Sequence, residues 1–341
     1  MDIAADDFPG ARGYLDTATL GLPCRATLGE LQRTLTDWQA GTAKPAAYDD
    51  HVRRSREAFA RMAGVPAGCV AAAGQVSSFV ALIAASLPAG ARVLAPEGEF
   101  TSVLFPFMAR GDLQVTLAPL ASLADAVTPE TALVAFSAVQ SADGAVADRE
   151  AIRAAALAAG ARTLVDVTQA AGWQPIAAHE ADYLVCGTYK WLLSPRGTAF
   201  LAGSRERLEE LPALHAGWYA GEDPWTSIYG GPLRLAGDAR RLDLSPSWLC
   251  WAGTAPALEF VEHLGIAAIG AHDLALAARV REAAGAAETG SAIVSLPLDE
   301  AAAERLRSAG VRFSLRDGRV RLAFHLYNDD ADVDLVLTAL H

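Results

Sequence analysis

Short apolar runs punctuate the middle of the chain. Between Cys69 and Ala202 they are CVAAA (69–73), RVLA (92–95), VTLA (115–118), ALVAF (132–136), TLVDV (163–167), YLVC (183–186) and TAFLA (198–202). Runs this short and this apolar predict strands buried on both faces. Amphipathic stretches separate several of them, among them Ser77–Leu87, Asp148–Ala159 and Arg205–Leu211. The alternation predicts an α/β domain, a mostly parallel sheet of about seven strands sandwiched by helices. Two helices, Arg25–Ala40 and Tyr48–Ala63, precede it, with a turn at Gly41–Pro45 between them.

The texture changes after Leu211. The segment HAGWYAGEDPWTSIYGGPLRL (215–235) is dense in Gly, Pro and Trp and reads as a long ordered loop. Helices are expected at Pro256–Leu264 and His272–Ala284. Strands Ala292–Leu296, Arg312–Leu315 and Arg319–Phe324 then alternate with helices Leu298–Ala309 and Asp329–Leu340. The pattern predicts a large α/β domain over 15–255 and a smaller α+β domain over 256–341, joined by residues 1–14.

Composition narrows the partners. There are 28 Lys+Arg against 40 Asp+Glu, a formal charge of -12, with no basic run, so nucleic acid and anionic membrane surfaces are not expected. Cys24, Cys69, Cys186 and Cys250 have neither metal-ligand nor CxxC spacing, which suits a reducing, cytoplasmic setting. The acidic start MDIAADDFPGARGYLD shows no signal-peptide pattern. Ala63–Ala91 is uncharged, yet Pro66, Gly68, Gly74, Gln75, Pro88 and Gly90 break it into a strand and a helix, not a membrane span.

Polar residues at the carboxyl ends of parallel strands face the ligand crevice. Asp166 ends TLV, Lys190 follows YLVC by a few residues, and GQVSS (74–78) joins a strand to a helix whose free N–H groups suit an anion. Ser137 and Ser141 follow ALVAF. A lysine between Tyr189 and Trp191 is out of place unless paired or chemically employed. One crevice thus gathers an amine for a Schiff base, a carboxylate for a ring nitrogen and a phosphate cradle. Pyridoxal phosphate (PLP) needs all three. Singly, each has a plainer reading: a helix cap, an N-cap turn, a snorkelling surface lysine.

TLVDVTQAAGWQPI followed by ADYLVCGTYKWLLSPRGTAFL resembles the class V aminotransferases, fold type I PLP enzymes. Their relatives include cysteine desulfurases, kynureninases and isopenicillin N epimerase-like proteins. The resemblance extends from YLDTATLGLP to VRLAFHLYNDDADVDLVLTAL. It implies that Lys190 holds the cofactor as an imine, Asp166 keeps the pyridine nitrogen protonated and Gln169 bonds the phenolic oxygen. It further implies phosphate contacts from Val76, Ser77 and Tyr189, and Phe100 stacked on the ring. Ser141 sits near the phenolic-oxygen contact, with Gln140 competing for it. Gly253 and Thr254 resemble the Gly-Thr that reaches a neighbour's phosphate, which implies a homodimer with shared sites. Arg321 matches the arginine that clamps the substrate carboxylate, and Thr17 and Ala18 line its pocket. Arg319 shares the strand face of Arg321, so face alone does not separate them.

The reading favours transamination of a small amino acid, with a β-lyase or kynureninase-like hydrolase as the alternative. An aryl pocket could come from Trp218, Tyr219, Trp225 and Tyr229, which could equally pack the loop. Desulfuration is disfavoured because AGVRFSLRDGRVRLAF (309–324) contains no cysteine. A nucleotide-binding or non-catalytic α/β protein is the other class considered, but no GxGxxG follows the first strand.

Overall fold

The structure is a computed structural model describing residues 6–340. Helices α1 (Arg25–Gln39) and α2 (Tyr48–Ala63) come first. In α2, Val52, Ser55, Phe59 and Ala63 are buried at helical spacing, and Gly64 ends the helix in the left-handed conformation (φ 67°). The large sheet follows: β1 (Val70–Ala73), α3 (Val76–Ser86), β2 (Arg92–Pro96), α4 (Thr101–Ala109), β3 (Gln114–Ala118), β4 (Thr131–Ser137), α5 (Arg149–Ala159), β5 (Arg162–Asp166), β6 (Tyr183–Gly187), β7 (Ala199–Ala202) and α6 (Arg205–Glu209). Its strand order is β1-β7-β6-β5-β4-β2-β3. Only β7 runs against its neighbours, because the segment from β6 returns directly without a crossover helix.

Reversing β7 leaves β1, β2, β4, β5 and β6 pointing the same way, so their carboxyl ends share one edge of the sheet. β7 begins at that same edge. The residues just past these strands are therefore brought together by topology alone.

The rest of the chain is α7 (Trp248–Leu264), α8 (Ile266–Ala283), β8 (Ile293–Leu296), α9 (Glu300–Ser308), β9 (Ser314–Arg316), β10 (Arg319–Ala323) and α10 (Asp330–Leu340). β10 is central in an antiparallel sheet of order β8-β10-β9. A core of Leu276, Val280, Val294, Val320, Phe324 and Val333 underlies it, with Leu15 included. Leu15 bonds Arg312 and Ala323 through backbone, so the early chain runs beside this sheet. Residues 1–5 of the expected 1–14 segment lie outside the described residues.

Three elements differ from expectation. Thr101–Ala109 is a helix although it contains Pro106 and is apolar on every side, which hides helical periodicity. α7 starts at Trp248 and runs through Pro256, so the boundary expected at 255/256 falls inside one helix. Proline removes one hydrogen bond there, and packing against α1 and α2 holds the helix together. α8 starts at Ile266 because Gly265 (φ 84°) turns the chain, not at His272. Among the described residues no single helix is long and apolar enough to cross a membrane. α7 and α8 qualify only as a pair bent by 79°.

Candidate active site

A cavity of about 220 Å³ opens at the shared strand edge. Its lining includes Gly74–Val76 after β1, Phe100 and Ser102 after β2, Ser137 at the end of β4 and Ser141 beyond it. Asp166, Thr168 and Gln169 come from the end of β5, Gly187, Tyr189 and Lys190 from β6, and Arg196–Thr198 from the approach to β7.

Asp166 is the last residue of its strand and 5% exposed. One carboxylate oxygen accepts from the Thr168 N–H at 2.7 Å. Burial pushes its pKa up to about 6; the Thr168 hydrogen bonds and the Lys190 charge oppose this, and the Glu99 charge adds to it. Lys190 is 6% exposed and its amine has no hydrogen-bond partner among the described residues. Its Nζ lies 5.3 Å from the centroid of Phe100 and 5.7 Å from that of Tyr189. Burial pulls its pKa down to about 8; Asp166 acts against this, while Arg321 and Arg316 reinforce it. At that value about a tenth of the amines are neutral at pH 7, far more than for an ordinary lysine, and the neutral form is what a general base needs. The chain has only one other lysine, Lys44, which is exposed in the turn between α1 and α2.

The Lys190 turn is held tightly. Gly21 N–H donates to the Tyr189 carbonyl at 2.9 Å, and Leu193 N–H to that of Lys190 at 3.1 Å. A Cβ at Gly21 would run into the Lys190 carbonyl, and one at Gly172 (φ 115°) into that of Trp191.

Gln169 is fixed at both ends of its amide. Nε2 donates to the Ala18 carbonyl (2.9 Å) and Ser141 Oγ (3.0 Å), and Oε1 accepts from the Trp191 indole (2.8 Å). Of the two competitors, Ser141 lines the cavity. Gln140 is turned away and donates to Glu99 at 3.0 Å. Val76 opens α3, whose N-cap Gln75 makes no side-chain cap, so the helix start is free for an anion. Ser77 sits one residue further along the helix, outside the lining.

Arg321, on β10, is 1% exposed. It donates to Thr19 Oγ1 (2.7 Å), Ser314 Oγ (3.1 Å) and the Ser141 carbonyl, with Asp16 at 3.6 Å. Burial, reinforced by Arg316, pulls its pKa down to about 10. Arg319 instead donates to Ser295 Oγ at 2.8 Å. Of the β10 arginines it is Arg321 that bonds Ser141 at the cavity wall, while Arg196 lines the cavity itself.

Two expectations do not match the packing. The Thr17 hydroxyl bonds Tyr327 and not the cavity; Thr19 takes the place beside Arg321, and Ala18 contributes its carbonyl to Gln169. Thr254 is 0% exposed and bonds Thr198 Oγ1 (3.0 Å) and the Cys250 carbonyl (2.8 Å) within its own chain. Gly253 is pressed against Pro195. Neither reaches a surface from which it could enter a neighbour's site.

Sequence reasoning missed Glu99, 5% exposed, which accepts from the Phe100 N–H (2.7 Å), the Ser137 N–H (2.8 Å) and hydroxyl (2.6 Å), and Gln140. It ties Phe100 to the end of β4. Its sign was its position: an acid beside an aromatic at a strand end.

The family model described as aminotransferase class-V matches residues 94–293. The chain is 28% identical over 300 residues to the uncharacterized aminotransferase YcbU of Bacillus subtilis (strain 168), covering 80% of this chain and 79% of that protein. It is 29% identical over 238 residues to a kynureninase of Deinococcus radiodurans, covering 64% of this chain and 58% of the relative. Among solved structures, a C-DES variant with glycine covalently linked to its PLP cofactor superposes with a TM-score of 0.87 at 19% identity, covering 99% of both chains.

Proposed function

Because the chain belongs to the class V aminotransferase family, with the fold of fold type I PLP enzymes, we propose that it transfers the amino group of a small amino acid. One observation carries this reading: the unpartnered Lys190 amine shares a cavity with buried Asp166 and an open helix start. The donor set fits the cofactor, pyridoxal phosphate. The Val76 and Ser77 amides and Tyr189 would take its phosphate, Asp166 its ring nitrogen, and Gln169 and Ser141 its phenolic oxygen. Phe100 would cover a ring face, and Lys190 would hold the aldehyde carbon.

When bound, the cofactor supplies an electron sink for the Cα electron pair of an amino acid. The chain supplies the rest. Asp166 keeps a proton on the ring nitrogen. Arg321 orients the substrate carboxylate by a fork that lysine cannot offer. The Lys190 amine, beside the place where the Cα would sit, would act as the base that takes the Cα proton and the acid that returns a proton within the site.

The cysteines support this over desulfuration: Cys24 and Cys186 are buried, and none of the four lines the cavity. The kynureninase match makes a β-lyase or hydrolase the second reading. The aromatic loop argues against an aryl pocket, since Tyr219 and Trp225 both bond Asp49 of α2, at 3.0 and 2.6 Å. Exposed Phe105 and Met108 on α4 favour a homodimer, and four free cysteines favour the reducing cytoplasm.

Borohydride reduction of the purified protein followed by peptide mapping should place a pyridoxyl group on Lys190. An amino-acid screen should then release keto acid beyond one equivalent per site only with an amino acceptor present. Release of ammonia or a cleaved side chain would replace transamination by the second reading, and a colourless protein that binds no cofactor would overturn both.

A further inference from the structure

Behind the Lys190 turn lies a pair of ionisable residues to which the proposed reaction gives no role. His325, just past β10, and Asp273, on α8, are both 0% exposed. His325 Nδ1 meets Asp273 Oδ2 at 2.8 Å, and Nε2 meets the carbonyl oxygen of Trp191 at 2.9 Å. The imidazole stands edge-on to the Trp191 ring, with centroids 5.1 Å apart.

The protons follow from this geometry. A carbonyl oxygen only accepts, so Nε2 carries a proton. The Nδ1–Oδ2 contact needs a second, on one atom or the other. Whichever holds it, the pair is neutral overall, as its burial demands. Burial raises the Asp273 carboxyl and so favours the acid as holder, with His325 and His272 acting against this. The other oxygen, Oδ1, has no partner among the described residues, a smaller cost for an acid carbonyl than for a carboxylate.

The geometry points to Asp273–His325 as a positioning couple that sets the Lys190 amine from the C-terminal sheet. Asp273 fixes the tautomer, and His325 pins the carbonyl of the residue next to Lys190. Gly21 packs against the Lys190 carbonyl and Gly172 against that of Trp191, so the imidazole completes a clasp on the turn. His325 also continues the strand that carries Arg321. A shift of β10 on engaging a substrate carboxylate would therefore reach Lys190 through this bond. The mechanistic role rests on the function proposed above, but the clasp can be tested without cofactor.

The test uses apoprotein. Acylation of Lys190 is followed against pH by peptide mass spectrometry, with Lys44 as internal reference. Besides Asp166, the charges acting on Lys190 are Arg321, Arg316 and Cys186, and none is altered by the variants. Wild type should show a midpoint near the Lys190 value of about 8. His325→Leu should move it upward by about half a unit or more as the loosened turn lets water reach the amine. His325→Gln, which still offers an N–H to Trp191, should stay near wild type. Asp273→Ala should shift the midpoint in the same direction, and Asp273→Asn, whose amide can donate to Nδ1, should not.

An unmoved midpoint in Asp273→Ala or His325→Leu, with only a lower melting temperature, would overturn the proposal. If His325→Leu does not fold, the two Asp273 variants decide. Because labelling needs no cofactor, failure of the clasp is distinguishable from failure of the PLP reading.

Discussion

Two of the acid–base pairs that lie deep in this protein are built in opposite ways. Arg56 on α2 meets Asp243 with two bonds, at 3.2 and 2.6 Å, and also donates to the Val70 carbonyl; Asp243 takes a further bond from the Ala72 N–H at 2.8 Å. That pair is closed, tying α2 and the segment before α7 to β1. Lys190 and Asp166 are as deeply buried, yet no direct bond joins them, and the amine faces an open cavity. A satisfied buried pair resists change. An unsatisfied one, held apart by a rigid turn, is kept ready for a third party. Burial alone does not mark a functional charge; the missing partner does.

The comparison breaks most visibly at Lys190. Lys190→Ala should abolish turnover, since no other amine among the described residues reaches the cavity, while circular dichroism and melting remain those of a folded protein. Turnover above a thousandth of wild type would remove Lys190 from the reaction. Asp166→Asn should still bind cofactor but lose several powers of ten in kcat, because a neutral amide cannot hold the ring nitrogen protonated. A kcat within tenfold of wild type would contradict that role.

The closed pair should answer in the other currency, stability. Arg56→Met leaves Asp243 buried and unpaired and should cost about 3–5 kcal/mol in urea unfolding, with little change in kcat per folded molecule. A catalytic loss without an unfolding shift would reverse the roles of the two pairs.

Lys190 also gives a pH signature in the apoprotein. Its folded value of about 8 lies below its ordinary 10.5. Between them the unfolded chain binds a proton that the folded chain does not, so stability should rise with pH across that window. Below pH 8 both states are protonated and the buried ammonium costs its full amount, roughly 3 kcal/mol. Lys190→Met should therefore exceed wild type by that margin below pH 8, with the gap closing by 10.5. Parallel unfolding curves would show that the amine is not desolvated. Last, Arg321→Lys loses one arm of the fork and should raise KM about ten- to a hundredfold, with cofactor affinity nearly unchanged. An unmoved KM would point to Arg316 or Arg319.

The seven apolar runs were legible as strands because they are short and bounded by turn residues; six are buried on both faces, while the edge strand β3 is largely exposed. Asp166 and Lys190 were legible because strand ends are where such a sheet presents chemistry. The α4 helix was hidden, since TSVLFPFMA shows no polar face and contains a proline. Thr254 was misread because a Gly-Thr pair looks the same whether it faces a neighbour or packs beneath Pro195; only the placement of α7 decides. The choice of Thr19 over Thr17 depends on which hydroxyl a tight turn rotates toward Arg321. Glu99 and the Asp273–His325 couple join residues far apart in the chain, and one-dimensional periodicity carries no trace of such contacts.

The position of β1 has a consequence for the making of the protein. It is the first strand of the sheet to leave the ribosome, yet its neighbour in the ladder is β7, and its other edge is met by backbone near Leu244. Until residue 199 emerges, Val70–Ala73 has no strand to pair with, while β2 and β3 already have each other. An unpaired apolar strand invites association between chains. Nascent chains stalled before β7 should thus depend on chaperones far more than chains stalled after it, and a fragment ending between β6 and β7 should aggregate when expressed alone.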